Sequence, residues 1–144
     1  MLSITCKAAI KAVIYLGSKY ESGQRRAGIK EIAAYTGENE NTMGKLLQKL
    51  VRAGIINSAK GPTGGFYITG AQLTQPVLRI IEEIDGAGVF SNCILGLSQC
   101  SDVRPCPLHA QYAPVRNALQ TMCRNMNIRG LCEEVAQGQA YLLS

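Results

Sequence analysis

The chain has 144 residues, enough for one domain or a small domain with an appendage, and it can bury a core without disulfide staples. Apolar residues make up 47% and charged residues 17%, a globular rather than disordered composition, and with no Trp and two Phe the core must be mostly aliphatic. The net charge of +5 is uneven: residues 1–60 carry ten Lys and Arg against four acids, and residues 61–144 carry five against six, so the front half is suited to a polyanion.

The N-terminus, Met1-Leu2-Ser3-Ile4-Thr5-Cys6-Lys7, lacks the apolar run and small-residue cleavage site of a signal peptide. The most apolar stretch, Ala8 to Gly17, is interrupted by Lys11 and is too short to span a membrane. A cytoplasmic protein with no membrane partner is expected. Six cysteines there suit reduced thiols, metal ligands or redox sensors better than structural disulfides.

Residues 4–20 read as a helix, with Ile10, Val13, Ile14 and Gly17 at helical spacing. A polar break at Glu21–Arg26 precedes a short helix over Ile29–Thr36, which Gly37 ends. Asn39 caps a stronger helix over 40–53, whose apolar set is Met43, Leu46, Leu47, Leu50 and Val51. On its opposite face lie Thr42, Lys45, Lys49 and Arg52. The runs Ile55–Lys60 and Phe66–Thr69 flank Gly61-Pro62-Thr63-Gly64-Gly65 and read as a glycine-tipped hairpin. Pro76 then opens a helix, with Thr74 as its cap and Val77, Ile80, Ile81 and Ile84 inward, and Gly86 stops it. Residues 87–109 have no clear period. A long helix over 110–128 and a short one after Gly130 complete the chain.

Helix, short helix, tight turn, amphipathic helix and hairpin is the order of a winged helix-turn-helix. Its second helix lies in the DNA major groove with its N-terminal residues against base edges. Those residues are Asn41, Thr42 and Lys45, side chains that pair with adenine, the thymine methyl and guanine acceptors respectively. Lys49 and Arg52 suit phosphates, and Lys60, Gly61 and Pro62 at the wing tip are placed for the backbone or the minor groove. The glycine-rich tip is not a nucleotide loop, because it lacks the Gly-Lys-Ser/Thr ending and is flanked by two β runs.

The segments Lys30-Glu31-Ile32-Ala33, Leu46 to Ile56, and Ser58-Ala59-Lys60-Gly61-Pro62-Thr63-Gly64-Gly65-Phe66 carry a resemblance. Over residues 1 to about 128 the chain resembles the iron–sulfur cluster regulator family of winged helix-turn-helix repressors, the IscR/NsrR-like group. The resemblance implies a homodimeric DNA-binding regulator with an iron–sulfur site on the loop before the dimerisation helix.

That loop holds Cys93, Cys100 and Cys106, with six and five residues between them, and ends in Cys106-Pro107-Leu108-His109. By spacing alone, three thiols and a histidine three residues on suit zinc first, or an iron–sulfur cluster. The resemblance reverses that order. It implies a 2Fe–2S or 4Fe–4S cluster on the three cysteines, with His109 at the place of a fourth ligand. The first spacing is one residue longer than the family's usual five, and a loop absorbs it. Zinc, thiol oxidation or a small metabolite remain the alternatives for a cluster-free regulator of this fold. Cys6 and Cys123 read as buried small hydrophobes, and Cys132 carries no ligand reading.

Tyr112, Val115, Leu119, Met122 and Met126 step by three and four residues, a heptad seam that a second copy would cover. A two-fold dimer sets two recognition helices one DNA turn apart, about 34 Å, on a near-palindromic stretch of double-stranded DNA. With one His, no Ser-His-Asp set, no nucleotide loop and no paired carboxylates in a cleft-like context, an enzyme is not expected. The expected architecture is mainly α with a small β-hairpin wing: a winged helix-turn-helix domain over 1–86, a cysteine loop over 87–109, and a long C-terminal dimerisation helix and tail over 110–144.

Overall fold

The computed structural model describes residues 1–143. Helix α1 (Ile4–Glu21) is central, buried on most of its circumference through Ala8, Ala9, Ala12, Val13, Ile14 and Leu16. Small residues alternate with branched ones there, so α2, α3, α4 and α6 can all press against one helix. Ser3 caps α1 by accepting from the Cys6 N–H, and the Asp85 carboxylate in turn accepts from the Ser3 backbone N–H at 2.9 Å.

Helices α2 (Ile29–Thr36) and α3 (Glu40–Arg52) form the helix-turn-helix. Gly37 ends α2 with φ +78°, which only glycine adopts without cost. The Asn39 side chain accepts from the Thr42 N–H at 2.8 Å and starts α3 as its sequence predicts. Met43, Leu46, Leu47 and Leu50 are buried, so the polar stripe faces outward.

Strands β1 (Asn57–Ala59) and β2 (Gly65–Tyr67) pair antiparallel with Ser58 opposite Phe66. They are shorter than the apolar runs, because Ile55, Ile56 and Ile68 turn into the core instead of extending the ladder. Ala27 exchanges two backbone hydrogen bonds with Phe66 and adds a third rung from the other side.

Helix α4 (Leu78–Asp85) begins two residues beyond Pro76. Thr74 does not cap it. That residue ends a 3-10 turn (Gln72–Thr74), and its hydroxyl donates to the Ala71 carbonyl. A second 3-10 turn (Ala87–Phe90) leads into the cysteine loop.

Helix α5 (His109–Asn125) starts at His109 itself and stops before Met126, three residues short of the expected end. Met126 is extended, its carbonyl accepts from the Val77 N–H, and the Ile128 N–H donates to the Gln75 carbonyl. This backbone bridge ties the end of α5 to the start of α4 and frees Ile128 to begin α6 (Ile128–Ala136). Asn127 caps α6, which packs on α1 through Ile128 and Cys132. A second apolar cluster, Cys6, Val77, Ile81, Phe90 and Cys123, joins α1, α4 and α5. The fold is mainly helical with a two-stranded wing, and among the described residues no helix is long and apolar enough to cross a membrane.

Candidate nucleic-acid interface and cysteine loop

The outer face of α3 borders an open groove of about 490 Å³. Asn41, Lys45 and Arg52 line it, joined by Glu40, Gly44 and Gln48. Thr42 and Lys49 are half-buried and lie outside the lining. Gln48 was not singled out from the sequence, although it sits three residues after Lys45 on the same stripe. Amide, ammonium and guanidinium donors on a projecting helix are the groups that read base edges and hold phosphates.

Lys60, Gly61 and Pro62 are exposed at the wing tip. The tip turns tightly, and a methyl group on Gly64 would run into the Ala59 carbonyl oxygen. Gly65 has φ +139° and lies against the Ala27 backbone, which excludes any other residue there. Arg26 donates from Nη1 to the Thr63 carbonyl at 3.0 Å and lies over the Tyr67 ring. Arg25 stacks similarly on Tyr20. The exposed arginine pair beside the wing was not placed there by the sequence, because the contact spans 37 residues.

In the cysteine loop, the four predicted donors stand as two pairs. Cys93 is buried and neighbours Cys106. Backbone hydrogen bonding, that of Leu97 first, holds the Cys93 thiol below its ordinary pKa. The loop turns after Cys93, with the Gly96 N–H on the Cys93 carbonyl and Gly96 at φ +76°. Cys100 Sγ lies 3.2 Å from His109 Nδ1, and His109 Nε2 lies 2.7 Å from Asp102 Oδ1. A carboxylate only accepts, so Nε2 donates and Nδ1 faces the sulfur. Among the described residues no three His, Cys, Asp or Glu side chains converge on one point.

Arg116 on α5 is the one buried charged side chain among the described residues, 8% exposed. Its Nη1 donates to Cys100 Sγ at 3.0 Å and to the Asn92 carbonyl at 3.1 Å. Neither Asp102 nor Arg116 was identified from the sequence.

Cys6, Cys123 and Cys132 are buried away from the loop. Burial, then Asp85, pushes the Cys6 thiol up to about 12. Burial likewise pushes Cys132 up to about 12. On α5, Val115 and Met122 are 56% and 50% exposed, whereas Leu119 packs on the second apolar cluster. Of the expected seam, Leu119 is therefore partly used within the chain, and Met126 lies just beyond the helix.

Residues 2–134 match the family described as Rrf2, Iron-dependent Transcriptional regulator. A protein of Aquifex aeolicus described as an HTH-type transcriptional regulator is 26% identical over 133 residues, covering 91% of this chain and 90% of that one. CymR, the global cysteine regulator of B. subtilis, superposes with a TM-score of 0.74 at 19% identity, over 92% of this chain and 96% of that one. IscR of T. potens superposes with a TM-score of 0.73 at 17% identity, over 99% of this chain and 93% of that one.

Proposed function

The chain belongs to the Rrf2 family of transcriptional regulators, DNA-binding proteins rather than enzymes, and from that premise we propose a repressor whose operator affinity is set by an iron–sulfur cluster. The cluster, 2Fe–2S or 4Fe–4S, is held by Cys93, Cys100, Cys106 and His109. The observation that carries this reading is the pairing of two of these donors: Cys100 Sγ lies 3.2 Å from His109 Nδ1, and the far ring nitrogen lies 2.7 Å from Asp102. A histidine that ligates a metal centre characteristically donates its other ring N–H to a carboxylate or carbonyl. The chemistry of the donor set fits: three soft sulfurs and one imidazole carried on one loop. Asp102 orients the His109 ring as a partner behind a ligand, leaving Nδ1 toward the sulfurs. When bound, the cluster supplies a centre whose oxidation, nitrosylation or loss changes the charge and order of the loop.

The chain's own parts transmit that change. The loop runs from the 3-10 turn after α4 directly into α5, with no spacer on the α5 side. Val115 and Met122 leave an apolar face on α5 for a second copy, and burying the exposed half of each side chain is worth about 1 kcal/mol. A homodimer paired there carries two α3 helices to successive turns of double-stranded DNA, which calls for a near-palindromic operator in the cytoplasm. Asn41, Thr42, Lys45 and Gln48 contact bases, and Lys49, Arg52 and the wing residues Lys60, Gly61 and Pro62 hold the backbone.

A second reading is supported by the adjacency of Cys93 and Cys106: a regulator without a cluster that responds through thiol oxidation or zinc. One experiment separates the two. Anaerobically reconstituted protein is expected to be brown, and Cys100→Ala is expected to lose most visible absorbance while keeping native far-ultraviolet circular dichroism. Its operator affinity is expected to match that of the cluster-free parent and to ignore oxygen, nitric oxide and chelator. Colourless parent protein with one zinc per chain, or a Cys100→Ala protein that still switches, rejects the cluster reading.

A further inference from the structure

Arg116 is the anomaly of α5. Most residues around it are exposed, yet its guanidinium is covered by the cysteine loop. A buried cation is costly unless a partner of opposite charge comes with it. Among the described residues the ion pairs are Lys19–Glu31, His109–Asp102 and Arg129–Glu21, so no carboxylate answers Arg116. Its contacts are the Cys100 sulfur, the Asn92 carbonyl and the face of Tyr112, whose centroid is 5.8 Å away. Its Nε is buried without any hydrogen-bond partner. Guanidinium does not lose its proton in proteins, so the charge is permanent. The site is thus one positive charge, held by the fold against a sulfur, with its countercharge missing.

We propose that Arg116 is a positioning residue of the sensor: it clamps the Cys100 sulfur to the start of the loop and supplies the fixed positive charge that a thiolate-ligated centre there is balanced against. This rests on the cluster reading above for its second half only. The clamp follows from one nitrogen that makes two hydrogen bonds. One Nη1 reaches both Asn92, which precedes Cys93, and Cys100, so it joins the two ends of the first half of the loop. The charge follows from position. The potential of an iron–sulfur centre depends on net charge and on hydrogen bonds to its sulfurs, and Arg116 alters both at Cys100. Removing a cation makes reduction harder, because reduction adds negative charge beside it.

The test uses the full chain, cluster-free and anaerobically reconstituted, as parent, Arg116→Gln and Arg116→Lys. Hydrogen exchange of residues 91–109 in the cluster-free protein reads the clamp. Exchange is expected to speed up at least tenfold in both variants, because the Lys and Gln side chains end one and two bonds short of the place where Nη1 bridges Asn92 and Cys100. The midpoint potential of the reconstituted protein, followed by visible absorbance, reads the charge. Arg116→Gln is expected to shift the one-electron equilibrium about tenfold toward the oxidised form, 59 mV, while Arg116→Lys stays within about twofold of the parent. Parental exchange, or a parental potential, in Arg116→Gln overturns the proposal. If Arg116→Gln loses its native circular dichroism, Arg116→Lys decides, and parental exchange in that variant overturns it. If the parent takes up no cluster, the cluster reading fails separately, and the exchange measurement alone upholds or overturns the clamp.

Discussion

Arg26 donates to the Thr63 carbonyl at 3.0 Å and so ties the wing tip to the stretch between the first two helices. The wing is presented by three ties: its own β pair, the Ala27–Phe66 bridge and this arginine. Lys60→Ala is expected to weaken binding almost equally on all DNA sequences and to lower the slope of log K against log salt by about one for each phosphate it no longer neutralises. Arg26→Ala is expected to weaken binding by about 1 kcal/mol or less, again without sequence preference, since an exposed hydrogen bond is worth no more. Fluorescence anisotropy across a salt series checks both. An unchanged slope in Lys60→Ala takes the wing off the DNA.

Asn41→Ala and Gln48→Ala are expected to cost roughly 1–3 kcal/mol each on the operator and to relax preference at separate base positions. Binding selection with a randomised operator reads this directly. Retained preference in both variants would mean that a different element lies in the groove.

Val115→Asp with Met122→Asp places like charges against one another across a two-fold axis, and burying them costs several kcal/mol. Dissociation to a folded monomer is expected in sedimentation, because neither side chain serves the monomer's core. Leu119→Asp is expected to damage the monomer as well, since Leu119 packs on the cluster around Phe90 and Cys123.

Cys6 and Cys132 keep their protons in the native state up to about pH 12, whereas an unfolded thiol loses its proton near 9. Their contribution to stability is therefore complete below about pH 9 and is lost as pH rises toward 12. The decline is at most about 1.4 kcal/mol per pH unit per thiol. Denaturant melts between pH 8 and 11 are expected to show it, and Cys132→Ala is expected to flatten it. In native protein near neutral pH, iodoacetamide is expected to spare both thiols and to modify Cys100 and Cys106, which are partly exposed.

Gly17 lies directly under Cys132, and a methyl group there would collide with the cysteine sulfur. Gly17→Ala is expected to destabilise the protein by about 1–3 kcal/mol despite the better helix propensity of alanine, and Cys132→Ala in the same chain is expected to restore part of that. Thermal melts of the two single variants and the double variant check it.

The helix-turn-helix was legible because its signals are local: Asn39 as cap, Gly37 as stop, and an apolar face at period 3.6 beyond them. The pairing of Cys100 with His109 was half legible. Spacing put both in one loop, but Asp102 behind the imidazole depends on how that loop folds. Arg116 was not legible, because an arginine on a polar helix normally points to water and only the overlying loop buries it. The start of α4 was misread because Thr74 has a cap-forming side chain but finds its partner in Ala71 instead. The early end of α5 was missed for a related reason: its cause is a backbone bridge to residues some fifty positions earlier in the chain.

The packing of α6 on α1 carries a consequence for synthesis. The Cys132 thiol donates to the Ile14 carbonyl across 118 positions, and Ile128 sits in the same core as Leu16 and Ile32. A ribosome releases α3 long before it releases the segment that covers the first helix. The emerging chain therefore displays an unfinished apolar face until its last tenth is made, and contacts of such long reach form slowly.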